Sequence, residues 1–203
     1  MLEIFAKQFW KPDGVLGRLT GKKLLHTNKK VNRWTIDQLE VKPGDKILEI
    51  GYIGSFAASQ LLKENSSIQI HGIEPAHTDG KIDDRQNQQT IPDYNFRIYK
   101  GDIFSLEVAL NHYDKVMSID NYLFWHQKRK SLVRLHHLMK EKGKIAIAVH
   151  PSEKDASNKK IFSHALQIEQ DLFYAGFREI AVAFKKIKTE ITVCVTGVCT
   201  KKH

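Results

Sequence analysis

Short β-branched runs alternate along the chain with segments of helical period, and this alternation carries most of the structural information. Strands are predicted at Lys46–Gly51, Ile68–Glu74, Asn95–Tyr99, Lys115–Ile119 and Lys144–Val149. Helices are predicted at Phe56–Glu64, Gln127–Met139 and Lys159–Ala175. In the last of these, Ile161, Phe162, Ala165, Ile168, Leu172 and Phe173 are spaced for one apolar face. The order implies right-handed crossovers and a largely parallel sheet covered on both faces. Beyond Gly176, a helix C-cap candidate, two β-rich runs at Arg178–Phe184 and Glu190–Val198 are spaced as a hairpin. The polar stretch His77–Pro92 and the segment His150–Lys160 read as loops, both beyond strand carboxyl ends.

The amino-terminal MLEIFAKQFW reads as an amphipathic helix without the basic leader of a secretory signal. With no internal repeat or linker, the 203 residues divide into a helical cap region over 1–40 and an α/β core over 41–203, one domain overall. The hydrophobic fraction of 41% against 27% charged residues is globular, and no apolar run approaches the length of a membrane span. Cys194 and Cys199 lie five apart in one strand, so their side chains point to opposite faces and do not pair. A reducing, cytoplasmic setting is the expectation. The net charge of +9 allows an RNA partner. Because the excess at Lys22, Lys23, Lys29, Lys30, Arg33, Lys128–Lys130, Lys201 and Lys202 is mixed with few aromatics, a solubilising surface is the preferred reading.

Candidate chemistry concentrates where the first strand runs into Gly51-Tyr52-Ile53-Gly54-Ser55 and then a helix. Such a turn presents free backbone N–H groups at a helix start, with Ser55 as a potential cap. Glu74 follows Gly51 by 23 residues, at the end of the second strand, where a carboxylate can accept from both ribose hydroxyls. Asp102 follows the third strand and Asp120-Asn121 closes the fourth. In a parallel sheet these strand ends open on one crevice. Each acid alone reads more simply as a solvated cap; the ordered set points to a ligand. A dinucleotide site wants three glycines in its frame and finds two here, and no phosphate-loop pattern occurs. The ten histidines are scattered, with His136 and His137 about 100° apart on a helix, so no metal site is expected. His126 and His150 are candidate bases at the same edge. Trp10, Trp34 and Trp125 read as core before they read as pocket walls.

From Phe9 to Gly197 the sequence resembles the small bacterial class I S-adenosylmethionine-dependent methyltransferases. The resemblance is carried by Phe9-Trp10-Lys11-Pro12-Asp13-Gly14, Leu16-Gly17-Arg18, Asn32-Arg33-Trp34-Thr35, the run Val41–Gly51, Tyr99-Lys100-Gly101-Asp102, Asp114-Lys115-Val116 and Phe124-Trp125. It implies a Rossmann-like, mostly parallel α/β sheet with helices on both faces and a C-terminal antiparallel hairpin. It implies S-adenosylmethionine as cofactor, with Glu49, Gly51, Tyr52 and Gly54 at the methionine part, Glu74 at the ribose, Asp102 at the adenine and Asp120 near the sulfonium. The family pattern has glycines at the positions of Ile53 and Ser55, and Gly54 is displaced by one. A β-branched residue at 53 opposes positive φ and adds bulk beside the ligand. Two functions follow: methyl transfer to a small or macromolecular acceptor, with weakened cofactor binding, or a catalytically silent relative that binds a protein or RNA.

Overall fold

The computed structural model describes residues 29–51, 56–74, 95–151 and 158–201. Helix α1 covers 29–39, followed by β1 (Lys46–Ile50), α2 (Phe56–Glu64), β2 (Gln69–Glu74), β3 (Phe96–Lys100) and β4 (Tyr113–Ile119). A 3₁₀ turn at Tyr122–Phe124 leads to α3 (Lys128–Leu138), β5 (Met139–Val149), α4 (Asn158–Tyr174), β6 (Phe177–Ile187) and β7 (Glu190–Cys199). The seven strands form one sheet in the order β3-β2-β1-β4-β5-β7-β6. The first five pair in parallel, while β7 runs antiparallel to β5 and β6 antiparallel to β7. The fold class and the terminal hairpin are therefore as the sequence implies. The predicted amino-terminal helix and the His77–Pro92 loop lie outside the described residues.

Side chains alternate across each strand, and both faces are covered. Ile47, Met117, Ala146, Ala148 and Cys194 pack with Val31, Trp34 and Leu39 of α1 and Ala57 and Leu61 of α2. Leu48, Val116, Ile145, Ile147 and Val195 face the other way, onto Leu132 and Leu135 of α3 and Ile168 and Leu172 of α4. The two cysteines are free and buried, Cys194 in the first core and Cys199 in the second, as strand alternation requires. In α4 the buried stripe is narrower than the sequence pattern implies: Ile161, Ala165, Ile168 and Leu172 are buried, while Phe162 is 52% and Phe173 62% exposed. Their rings lie at the rim, Phe162 against Phe184 and Phe173 under the Arg178 guanidinium.

Strands β4 and β5 begin earlier than their aliphatic runs. Tyr113 pairs with Met139 across a bulge that ends at the Lys115–Lys144 pair. Gly143 makes this possible, since a Cβ there would lie 2.9 Å from the Lys140 carbonyl and 3.0 Å from that of Asp114. Asp114 anchors the junction by accepting from Lys140 Nζ at 2.8 Å and from the Lys46 backbone N–H at 2.9 Å.

Candidate active site

The strand order reverses between β1 and β4, the place where an open parallel sheet leaves a crevice above its carboxyl edge. Gly51 stands on one side of that point and Asp120-Asn121 on the other. Gly51 N–H bonds the Ile73 carbonyl at 3.0 Å, and its φ of 87° turns the chain off the strand. A Cβ at Gly51 would fall 2.6 Å from that of Asn121, so glycine is required both by conformation and by space.

Asp120 is also left-handed, with φ 53°, a conformation Asp tolerates better than most residues. Its N–H donates to the Ala148 carbonyl at 3.0 Å, and its carboxylate accepts from the His150 N–H at 2.6 Å. Burial pushes the Asp120 carboxyl up to about 7, against the opposing effect of the His150 N–H. Asn121 Oδ1 accepts from Trp125 Nε1 at 2.8 Å, which seats the indole beside Asn121 and against the Tyr122 ring. Lys128 Nζ closes the 3₁₀ turn from below on the carbonyls of Leu123 and Trp125.

Below this turn Asp171 of α4 is buried and satisfied by three donors: Tyr122 Oη at 2.7 Å, Arg129 Nε at 2.6 Å and Gln167 Nε2 at 2.9 Å. Burial raises its pKa, but these donors outweigh burial and hold the carboxyl below its ordinary value. On the far side of Asp120, His150 Nδ1 lies 2.5 Å from Thr192 Oγ1 and its Nε2 lies 4.0 Å from Glu190. Burial lowers the His150 pKa, Glu190 raises it and Lys188 lowers it further.

Gly51 and Asn121 thus meet at the switch point, with Asp120 next in the chain to Asn121. Glu49 is buried in β1, and β2 ends at Glu74, beside Lys100 of β3. Tyr52 and Gly54, with Ile53 and Ser55, lie outside the described residues. Asp102 is exposed, and its Oδ1 accepts from the N–H groups of Phe104 (2.8 Å) and Ser105 (3.0 Å), capping its own turn. Trp34 is core, and Trp125 is half-buried at the site. His126 is exposed. No group of three or more His, Cys, Asp or Glu suited to a metal occurs among the described residues. His71, half-buried, is pushed down to about 4 by burial, stacks on His112 and meets the Tyr113 hydroxyl at 2.8 Å. Thr192, Glu190 and Asp171 were not legible as site neighbours, because the site residues they touch, His150 and Tyr122, lie 40 or more positions away and no local motif joins them. Among the described residues no helix is long and apolar enough to cross a membrane.

No protein-family model matches the sequence. A Bacillus subtilis protein described as the uncharacterized methyltransferase YdaC is 35% identical over 170 residues, spanning 84% of this chain and 92% of that protein. Among solved structures, a chain of the complex between a Haloferax volcanii methyltransferase activator and its methyltransferase superposes with a TM-score of 0.72 at 15% identity, over 90% of this chain and 93% of that one. An Aquifex aeolicus S-adenosylmethionine-dependent methyltransferase gives 0.67 at 15% identity, over 83% and 89%. Identity along nearly the whole of the Bacillus relative, joined to this strand order and the glycine turn at its switch point, means that the chain belongs to the class I S-adenosylmethionine-dependent methyltransferase family.

Proposed function

We propose that the chain transfers the methyl group of S-adenosylmethionine to an acceptor that enters beside Asp120, Trp125 and His150. The observation that carries this reading is the pairing of Gly51 and Asp120-Asn121 across the β1–β4 switch point, within a family of this chemistry. The cofactor is assigned to the β1–β2–β3 half of the edge, on Glu49, Gly51, Tyr52, Gly54, Glu74 and Asp102, with Asp120 at the boundary. The buried acid at the switch point fits a cationic ligand, since a positive charge nearby would relieve the burial that raises its pKa. When bound, S-adenosylmethionine supplies an electrophilic methyl group on a sulfonium.

The chain's own part is alignment. Asp120, held by the Ala148 carbonyl and the His150 N–H, and Trp125, held by Asn121, form fixed walls for an acceptor. His150 is kept neutral by burial and backed by Thr192 and Glu190, which suits a group that takes up a proton near the acceptor.

Calorimetric titration of the full chain with S-adenosylhomocysteine tests the reading. Binding is expected, tightened by Ile53→Gly with Ser55→Gly, which restores the family glycines. No heat from either protein, with both shown folded, would favour a silent relative instead.

A further inference from the structure

Helix α1 and the β6–β7 hairpin, about 150 residues apart in sequence, form the two walls of a cleft of about 370 Å³. One wall carries Lys29, Lys30 and Arg33, and the other Lys185, Lys186 and Lys188. Trp34 and Ile187 are also part of the lining, and both are buried. Among the described residues, none that lines the cleft is acidic. Two carboxylates touch Arg33, Asp37 at 3.4 Å and Glu64, and both project from outside the lining. The sequence favours a charge excess spread for solubility, but folding concentrates six cations where they repel one another. Surfaces that serve solubility alone intersperse the two signs. Aromatic faces hold two of the six at the walls: Lys185 Nζ is 5.8 Å from the Trp34 ring and Lys29 Nζ 5.3 Å from the Phe56 ring.

The cleft also has a meaningful position. Strand β7 runs against β5, so the hairpin tip beside Glu190 lies at the carboxyl edge of the parallel strands, where His150 contacts Thr192. Phe56, under Lys29, is the first residue of α2, five positions after Gly51 in the sequence. The basic cleft therefore opens on the same edge as the crevice at β1 and β4.

We infer that this cleft binds the phosphodiester backbone of a single-stranded polynucleotide and lays it along the edge toward Asp120 and His150. Six cations exceed what one phosphate engages, which favours a polyanion over a small phosphorylated ligand. A concave site with buried apolar lining excludes a flat bilayer, which would be met by protruding aromatics. A flexible strand can bend into a cleft of this size, whereas a rigid duplex lies across its rim. The inference rests on the methyl-transfer reading only in making the bound strand the acceptor.

Anisotropy of a labelled single-stranded RNA of mixed sequence, titrated with the full chain, tests it, with a DNA of the same sequence as the second arm. With six phosphates engaged, affinity falls about 300-fold between 50 and 200 mM salt, from a slope of about −0.7 per phosphate contact. Lys30→Ala with Lys186→Ala removes one cation from each wall and reduces that loss to about 50-fold. Lys130→Ala with Lys159→Ala, exposed on the opposite helical layer, makes the same change in net charge and leaves the slope unaltered. Glutamine versions of both pairs serve if an alanine pair shifts the melting midpoint. Binding of RNA, DNA or both with these slopes supports the cleft, and the tighter arm names the natural strand. Failure of both at 50 mM salt, equal effects of the two variant pairs, or preferential binding to vesicles containing phosphatidylserine would overturn it. Titrating S-adenosylhomocysteine into the same preparations separates the two readings, since loss of cofactor binding with retained polynucleotide binding removes the methyl transfer and leaves the cleft.

Discussion

At the residue scale the site depends on two left-handed positions, Gly51 and Asp120, on the two strands that flank the switch point. Gly51→Ala imposes a positive φ on a residue with a Cβ and drives that atom into Asn121. The expected loss is roughly 2–4 kcal/mol in denaturant unfolding. Adding Asn121→Gly recovers the steric part but gives up the Trp125 hydrogen bond, so the conformational part, about 1–2 kcal/mol, is read by comparing the double variant with Asn121→Gly alone. Asp120 is governed by charge. Its folded pKa of about 7 stands above the ordinary 3.8, so the native state holds the proton more tightly than the unfolded chain. Its contribution to stability is full below the ordinary value and is lost as pH rises toward 7. Asp120→Asn keeps an acceptor for the His150 N–H and removes this dependence, so unfolding free energies of parent and variant should diverge across that window. The ionised carboxylate favours a sulfonium, so the affinity for S-adenosylmethionine relative to neutral-sulfur S-adenosylhomocysteine rises through the same window in the parent alone. A ratio that is flat with pH would remove Asp120 from the cofactor's neighbourhood.

At the scale of elements, the 3₁₀ turn after β4 carries Trp125 and is tied to α3 and α4 by one buried carboxylate. Asp171 joins Tyr122, Arg129 and Gln167, which belong to three different elements. Removing it strands the buried Tyr122 hydroxyl, whose own pKa is raised chiefly by burial. Asp171→Ala is therefore expected to cost about 1–3 kcal/mol. Asp171→Asn, which still accepts from Tyr122, should cost less. Thermal melts of the two variants check the order, and equal losses would show that the charge, rather than the hydrogen bond to the turn, is what matters. The sequence shows both α3 and α4 by their period but gives no sign of this joint, because the four residues span 49 positions without a shared motif.

For the whole molecule, a ligand bound across the β1–β4 crevice engages segments from both halves of the sheet and stabilises the fold as a unit. At about 100 times its dissociation constant, S-adenosylhomocysteine adds about 2.7 kcal/mol. For a domain of this size that is a rise of about 5–10 °C in melting midpoint, readable by calorimetry. A midpoint unchanged by saturating ligand would contradict the proposed function at the level of binding.

The sequence by itself determined the alternation of strands and helices, the terminal hairpin, the opposite facing of the two cysteines and the place of Gly51 and Asp120 at strand ends. These follow from period, turn chemistry and chain order, which are local properties. Only the tertiary structure decided that Gly51 packs on Asn121, that β4 and β5 extend back across Gly143, and that Asp102 spends one oxygen on its own turn. It also decided the meaning of the charge. The lysines of α1 and of the hairpin are unremarkable solvated runs when read along the chain. They become one cleft because the last strand reverses direction and returns its tip to the carboxyl edge beside α1, a juxtaposition that only sheet pairing specifies.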